Sequence, residues 1–232
     1  MTIYLGIDDT DSLESIGTGR LARSIADEIS DRFPVRGITR HQFLVHPDIP
    51  YTSHNSGAVI TIGDIPDEDL PPLFERVISL MKARFVEGSD PGVALARDTM
   101  ISAPVVIFGQ DAKRQVLSQE MARKLASNTG ILLVGLGGTE GGVIGALAGI
   151  GLASSGCDGR FLQLGTIRDI MGDQTVTEVL KTGIETVMTT DGRILTEGLI
   201  RIRKFPQPVS IHGRPILLVE ELNDEWVLVK RD

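Results

Sequence analysis

The chain has 232 residues, and its hydrophobic fraction of 41% supplies enough apolar material for one large domain or two of ordinary size, which excludes a disordered chain. The formal net charge of −8 argues against a duplex or tRNA binder that works alone, because such proteins carry a basic surface. The sequence lacks both a run of about 18 apolar residues and the pattern of a signal peptide, so we expect a cytoplasmic protein that binds no membrane.

The first half of the chain is predicted to follow the order β-α-β-β-α. The apolar residues 3–7 predict a buried strand, and a polar loop over 8–19 leads from that strand into a helix. Leu21, Ile25 and Ile29 recur at four-residue spacing and form one apolar face of the helix. Two strands and a second helix complete this half, over 37–44, 58–62 and 73–85.

The second half is predicted to hold a further α+β unit and a β-rich end. Its expected strands cover 105–108, 131–136, 161–167 and 186–188, and its expected helices cover 112–127, 143–152 and 175–182. Asp191 and Gly192 signal a hairpin turn. Three last strands, over 199–202, 216–219 and 226–229, are expected to form a small antiparallel sheet. We therefore predict a mixed α+β fold in three parts, which are residues 1–102, 103–198 and 199–232.

Three carboxylates, those of Asp8, Asp9 and Asp11, follow the first predicted strand within four positions. Their mutual repulsion is unfavourable without a cation or strong hydrogen bonds. Mg²⁺ prefers hard oxygen ligands and commonly binds through one or two carboxylates plus substrate phosphates. The alternative is a cluster in which Asp oxygens and Ser12 merely satisfy backbone amides, as in Asx turns and helix N-caps. Composition alone leaves both interpretations open.

The same loop continues as Gly17-Thr18-Gly19-Arg20 before the first helix. The two glycines allow the backbone to approach an anion, and the helix offers its amide-rich N-terminus. Thr18 could bind phosphate, ligate a metal or accept a phosphoryl group, whereas the alternative is that it simply caps a helix beginning near Arg20. The segment matches neither a Walker loop nor a dinucleotide fingerprint.

Three further features have both a functional and a structural interpretation. In the polar segment 47–58, His54 could act as acid or base or hold a phosphate, and Asn55 could hydrogen-bond a base or hydroxyl, although loop residues of these types are often structural. Cys157 is the only cysteine, and we interpret it as a packing residue because no His is near it in sequence. A basic cluster at Arg201, Arg203 and Lys204, with Lys230 and Arg231 at the far end, is interpreted as solvated strand faces rather than as an RNA contact.

Several segments in the same order resemble the archaeal tRNA 2-agmatinylcytidine synthetase family, over about residues 3–190. The Gly-Ile-Asp-Asp-Thr-Asp-Ser signature of that family stands here at 6–12 and is followed by Thr18. A Pro-x-x-Pro-aromatic segment is resembled by 47–58. Residues 89–92 resemble an Asn-Pro-Gly segment of the family. Residues 145–151 resemble its small-residue helix, and residues 161–168 resemble its strand ending in Arg.

The resemblance implies a kinase-like N-terminal domain and a ferredoxin-like second unit, and the strand pattern adds a small β-rich C-terminal extension. It implies ATP and Mg²⁺ as cofactors, with Asp8, Asp9 and Asp11 as metal ligands and Asp8, Asp11 and Thr18 in catalysis. The nucleotide would be bound by a set that includes basic and hydroxyl groups, namely Asp9, Ser12, Gly17, Gly19, Arg20, His54, Asn55 and Arg168. The Cys-Thr-Thr of the family is replaced by Gly17-Thr18-Gly19.

We therefore expect an ATP- and Mg²⁺-dependent phosphoryl- or nucleotidyl-transfer enzyme whose acceptor is an unidentified small molecule or RNA. The OB-fold and zinc ribbon that grip tRNA in the family are absent up to Asp232, so we expect that this chain alone does not modify tRNA. The alternatives are a non-catalytic nucleotide-binding protein and the catalytic subunit of a tRNA-modifying complex, with a homo-oligomer or an RNA-binding partner subunit. The role of the Gly-rich segment 137–151 stays open.

Overall fold

The computed structural model describes residues 1–8, 17–49, 55–84 and 88–229, and the chain forms two compact units. The first unit is Met1–Ser155 and the second is Gly156–Asp232. Helices and strands occur in both units, so the predicted mixed α+β class is confirmed. Among the helices described, none is both long enough and apolar enough to cross a lipid bilayer.

The first unit is built on an antiparallel sheet with the strand order β5-β4-β1-β3-β2. Its strands are β1 (Ile3–Asp8), β2 (Val35–Gln42), β3 (Ser56–Ile62), β4 (Gly92–Arg97) and β5 (Leu132–Gly135). Its helices are α1 (Thr18–Ser30), α2 (Leu70–Lys82), α3 (Ala103–Asp111), α4 (Gln119–Thr129) and α5 (Val143–Ser154). The predicted β-α-β-β-α order of the first half is confirmed.

Alternation along β1 separates the two faces of this sheet. Ile3, Leu5 and Ile7 are fully buried on the face that α1 and α2 cover, and the apolar stripe of α1 is buried as the four-residue spacing predicts. Gly6 faces α5, because a Cβ added to it would lie 2.2 Å from the carbonyl oxygen of Ala146. Asp8 lies on the same face as Gly6 and is therefore carried toward α5 at the end of the strand.

Helices α3, α4 and α5 form a second apolar layer on that face. The prediction of a strand over 105–108 is wrong, because these residues lie within α3. A short apolar run does not distinguish a strand from a buried helical segment, and Pro104 in the first turn favours the helix. The helix predicted over 112–127 is α4, which begins later, after the Ser118 cap, and ends at Gly130 in the left-handed conformation.

The second unit is mainly β structure around its own apolar core. Its elements are β6 (Arg160–Gln163), β7 (Gly172–Thr175), α6 (Val176–Leu180), β8 (Thr186–Thr189), β9 (Ile194–Leu195), β10 (Leu199–Ile202), β11 (Val209–Ile211), β12 (Arg214–Leu222) and β13 (Glu225–Leu228). The predicted hairpin at Asp191 and Gly192 joins β8 to β9. Asn223 and Asp224 turn β12 into β13 with positive φ.

The last strands do not form a purely antiparallel sheet, so that expectation is wrong. β12 and β13 pair antiparallel, but β10 pairs parallel with β13 and antiparallel with β7. β8 also pairs parallel with β12. These parallel contacts join strands that are distant in sequence, and local turn signals carry no information about them.

The two compact units differ from the three parts expected from the sequence. The expected boundary after residue 102 falls inside the first unit, because α3, α4 and α5 share one core with the sheet. The family resemblance places a ferredoxin-like unit at 103–198. The β-α-β-β-α-β arrangement with the strand order β4-β1-β3-β2 instead lies between Ile3 and Arg97.

Candidate functional site

Residues at one end of the five strands of the first sheet lie side by side, and we call this group of strand ends the site edge. Asp8 ends β1 and pairs with Gly92, the first residue of β4, which pairs in turn with Gly135 at the end of β5. Gln42 at the end of β2 pairs with Ser56 at the start of β3. The site edge is defined by these five residues, and the chain leaves it from β1 toward α1.

Asp8 is nearly buried at the site edge, with 9% of its surface exposed. Its carboxylate lies against the first turn of α5, since a Cβ added to Gly145 would be 1.7 Å from Asp8 Oδ2. The N-terminal end of a helix carries partial positive charge, which favours a carboxylate at this position. The Gly-rich segment, whose role the sequence left open, therefore reaches Asp8.

Thr18 is the first residue of α1 and is buried, with 8% of its surface exposed. The N-cap position belongs to Gly17, whose φ of 82° suits glycine and which has no side chain to cap the helix. The alternative in which Thr18 itself caps a helix beginning near Arg20 is therefore wrong. Gly19 continues the first turn, and Arg20 is exposed to solvent on it.

A second loop at the site edge is fixed by Asp90, which lies in the segment 89–92 that resembles the Asn-Pro-Gly segment of the family. Thr139 donates to Asp90 through its backbone amide, at 2.5 Å, and through its hydroxyl, at 2.8 Å. The amide of Gly142 donates to the Asp90 carbonyl oxygen at 2.8 Å. Gln119 Nε2 donates to the Thr139 carbonyl oxygen at 2.7 Å. These bonds hold the Gly-rich turn before α5 against the start of β4.

Polar groups on β2 and β3 complete this edge. Asn55 Nδ2 donates to the Leu44 carbonyl oxygen at 2.6 Å, so this amide fixes the chain after β2. Arg40 Nε donates to Ser56 Oγ at 2.9 Å. His41 is fully buried, and its Nε2 lies 2.8 Å from Thr39 Oγ1. Apolar alternation gave no signal for the buried pair of His41 and Thr39.

The predicted residues are only partly brought together. The site edge, or a segment that leaves it, contains Asp8, Gly17, Thr18, Gly19, Arg20 and Asn55. Arg168 belongs to the second unit, where its guanidinium lies 3.9 Å from the centre of the Phe205 ring and donates to the Leu162 carbonyl oxygen. The remaining predicted ligands lie outside the described residues, and these are Asp9, Asp11, Ser12 and His54.

Two interpretations of the second unit are also resolved. Cys157 is exposed, and its Sγ lies 3.8 Å from Nδ1 of His212, so the interpretation as a packing residue is wrong. The two residues are 55 positions apart, which is why their contact was not evident in the sequence. Arg201 forms ion pairs with Asp173 and Glu225, and its charge is balanced within the unit.

At the site edge Asp8 offers a carboxylate to Mg²⁺, whereas both carboxylate oxygens of Asp90 accept hydrogen bonds from Thr139. No group of three acidic, His or Cys side chains suited to a metal occurs among the described residues. One carboxylate plus phosphate oxygens is a common way for proteins to hold Mg²⁺, and the buried carboxylate at a strand end fits that chemistry. Asp8 is therefore the residue that would hold the ion, with Asp9 and Asp11 as further predicted ligands.

The fold and the described site thus define an α+β protein with a nearly buried carboxylate at a strand end, against the N-terminal turn of α5. No protein-family model matches the chain. The chain is 31% identical over 156 residues to TiaS of Pyrococcus horikoshii, the 2-agmatinylcytidine synthetase of an isoleucine tRNA, and the match covers 65% of this chain and 36% of the relative. It is 30% identical over 169 residues to TiaS of Methanosarcina mazei, and this match covers 70% of this chain and 39% of the relative.

A solved structure supports the same relationship. The crystal structure of TiaS in complex with its isoleucine tRNA and ATP matches with a TM-score of 0.57 and 25% identity, over 65% of this chain and 36% of that one. The resemblance to the tRNA 2-agmatinylcytidine synthetase family that the motifs predict is thus confirmed over about two thirds of the chain. The chain spans only 36 to 39% of the length of these relatives.

Proposed function

We propose that the chain binds ATP with Mg²⁺ at the site edge and transfers a phosphoryl or nucleotidyl group to an acceptor. The observation that carries this proposal is the buried carboxylate of Asp8, which is held at a strand end against the first turn of α5. A carboxylate at a strand end beside the N-terminal turn of a helix is well placed to share a Mg²⁺ ion with phosphate oxygens. The similarity to TiaS, which binds ATP in a solved structure, supports ATP as the source of those phosphates.

The residues of the site would each have a separate role in binding ATP and Mg²⁺. Asp8, with Asp9 and Asp11, would hold Mg²⁺, which when bound neutralises phosphate charge and fixes the triphosphate for attack. Gly17 and Gly19 would let the backbone of α1 approach the phosphates. Arg20 is exposed on the same turn and could balance phosphate charge from solvent. Catalysis would then come from positioning and charge neutralisation.

Thr18 is the proposed catalytic hydroxyl. Its position in the first turn of α1 puts the hydroxyl beside the amides that would contact a phosphate. If Thr18 accepts the phosphoryl group, the bond from the γ-phosphorus to its bridging oxygen breaks, a bond to Thr18 Oγ1 forms, and the hydroxyl proton leaves to a base. ADP is then the leaving group, and the phosphate passes to the acceptor in a second step.

The acceptor class follows from the relatives. Structures of TiaS hold an isoleucine tRNA with ATP and, in one complex, agmatine with an ATP analogue. For this chain we propose a small acceptor, or an RNA presented by another subunit, because a net charge of −8 disfavours RNA binding by this chain alone.

Product analysis tests the proposal and separates its two reactions. The protein is incubated with Mg²⁺ and ATP, and phosphorus NMR and intact-protein mass spectrometry follow the products. Phosphoryl transfer yields ADP with phosphate or a phosphorylated protein, whereas nucleotidyl transfer yields pyrophosphate. Thr18→Ser should keep turnover and Thr18→Ala should lose it while still binding ATP. Binding without any turnover by parent protein and Thr18→Ser would instead identify a non-catalytic nucleotide-binding protein.

A further inference from the structure

We propose that Gly145 is a positioning residue for Asp8, so that the first turn of α5 decides where the metal-binding carboxylate lies. The inference deepens the proposed function and rests on it for the identity of the ligand. The contact itself stands on the geometry of the two residues and is tested without any ligand.

The carboxylate of Asp8 occupies the space in which a side chain at position 145 would stand. A Cβ at Gly145 would lie 1.7 Å from Asp8 Oδ2 and 2.5 Å from Asp8 Cγ. Both distances are far inside van der Waals contact, so any other residue at 145 must displace the carboxylate. The third neighbour, Cε2 of Phe43 at 2.9 Å, belongs to a side chain that can shift by rotation.

The clash cannot be relieved by moving α5, because the same helix is held against backbone at two other points. A Cβ at Gly142 would lie 2.5 Å from the amide nitrogen of Gly92 and 2.9 Å from the carbonyl oxygen of Asp8. A Cβ at Gly6 would lie 2.2 Å from the carbonyl oxygen of Ala146. Backbone thus packs on backbone along the start of α5, and Asp8 is the movable group.

Displacement of Asp8 would weaken the binding of metal and nucleotide. The carboxylate is nearly buried, so few positions are open to it other than the one it holds. The amide end of α5 also favours its negative charge at that position. Gly145 therefore acts on metal and nucleotide through Asp8, without touching either.

A double-mutant cycle on stability tests the contact. The variants are Gly145→Ala, Asp8→Ala and the two combined, each followed by urea unfolding. With Asp8 present, Gly145→Ala should raise the unfolding equilibrium constant by about 10-fold or more, and in the Asp8→Ala background by about 3-fold or less, since neighbouring residues couple in this range. If Gly145→Ala alone does not fold, the double variant should. An equal cost in both backgrounds, or failure of both to fold, overturns the inference.

Gly141→Ala is the matched control in the same segment. A Cβ there meets only Thr139 Oγ1 at 3.4 Å and Asp90 Cβ at 3.9 Å, which are ordinary contacts, so no coupling to Asp8 is expected. In calorimetry with Mg²⁺ and ATP, folded Gly145→Ala should bind about 10-fold more weakly than Gly141→Ala. Equal affinities overturn the positioning role. A parent protein that binds no ATP overturns both the proposed function and this role, whereas the stability cycle then still reports the contact.

Discussion

Arg97 is a buried cation at the end of β4, on the side of the sheet away from the site edge. Its Nη1 donates to Asp64 Oδ1 at 2.6 Å, and its Nη2 donates to the Ile65 carbonyl oxygen at 2.6 Å. A second ion pair, at 2.7 Å, joins Nη2 to Asp67 Oδ1. These bonds tie β4 to the segment that leads into α2, which gives Arg97 a structural role.

Replacing Arg97 with Met tests that role. We expect Arg97→Met to lower the free energy of unfolding by about 1–3 kcal/mol, because the Ile65 carbonyl is left without its buried donor. The control is Arg76→Met, since Arg76 forms an exposed pair with Glu28 and should cost less than about 1 kcal/mol. Urea unfolding measures the free energy of unfolding of both variants. Equal losses of stability would contradict the structural role of Arg97.

Candidate residues could be selected from the sequence, Asn55 among them, but the contacts between residues of separate segments could not be predicted. Asp8, Gly17 and Thr18 follow a predicted strand and precede a predicted helix, so local pattern suffices to place them together. Asp90 and Gly145 reach the same edge through strand pairing and helix packing. Their contact with Asp8 or with the Gly-rich turn depends on long-range geometry, which composition does not contain.

At the scale of elements, the glycines of α5 have two different roles, and the sequence of the helix does not distinguish them. Gly145 faces Asp8, whereas Gly151 faces α3, where an added Cβ would lie 2.2 Å from the carbonyl oxygen of Val105. A run of small residues predicts close contact but does not tell which glycine serves a site and which serves packing. The helix itself was predictable, since residues 143–152 lie within α5.

Gly151→Ala should therefore affect stability and leave binding unchanged. The added methyl group meets backbone of α3, and overpacking of this kind costs about 1–3 kcal/mol or more. In the folded fraction, the affinity for Mg²⁺ and ATP should equal that of the parent protein, as measured by calorimetry. A selective loss of affinity without loss of stability would contradict the division of tasks along α5.

The pairing of β7 with β10 has an electrostatic component that depends on pH. Asp173 and Arg201 face each other in the ladder, and the hydrogen bond from Arg201 lowers the pKa of the Asp173 carboxyl. A carboxyl whose pKa is lower in the folded state than in the unfolded state stabilises the fold at pH values above its ordinary pKa of about 3.9. This contribution is lost as the pH falls through the pKa of the folded state. The contribution is thus present at neutral pH and disappears in acid.

Arg201→Gln should remove this dependence. The parent protein should be more stable than the variant at about pH 6, and the difference should shrink as the pH falls below about 4. Both side chains are partly exposed, so the effect is small and reduced by salt. Arg203→Gln, at an exposed position on the segment after β10, is the control and should show no such change in thermal unfolding. A difference independent of pH would contradict the assignment.

For the whole molecule, the sequence predicted the class of fold but not its division. Composition and periodicity give a mixed α+β chain, and the strand and helix order of the first half is confirmed. The boundary at residue 155 is set by packing, since α3, α4 and α5 cover the first sheet and the chain then begins a separate core. The boundary lies in the Ser- and Gly-containing stretch 154–159, whose composition is that of an ordinary turn and does not distinguish a domain boundary from a loop within a domain.

Net charge makes a prediction at this scale. With a net charge of −8 and with Arg201 paired internally, this chain alone should bind tRNA no more tightly than the micromolar range typical of non-specific contacts, about 10⁻⁶ to 10⁻⁴ M at physiological salt. Filter binding or gel shift at that salt concentration measures it. Nanomolar binding would show that the chain grips RNA without a partner subunit.

The central claim is that Asp8 holds a metal-bound nucleotide, and calorimetric titration with ATP in the presence and absence of Mg²⁺ tests it most directly. The proteins to compare are the parent, Asp8→Asn and Asp27→Asn, since Asp27 is an exposed residue of the same type on α1. The parent and Asp27→Asn should bind ATP only with Mg²⁺, and Asp8→Asn should bind about 10-fold more weakly or not at all. Equal binding by Asp8→Asn, or no binding by the parent, would contradict the claim.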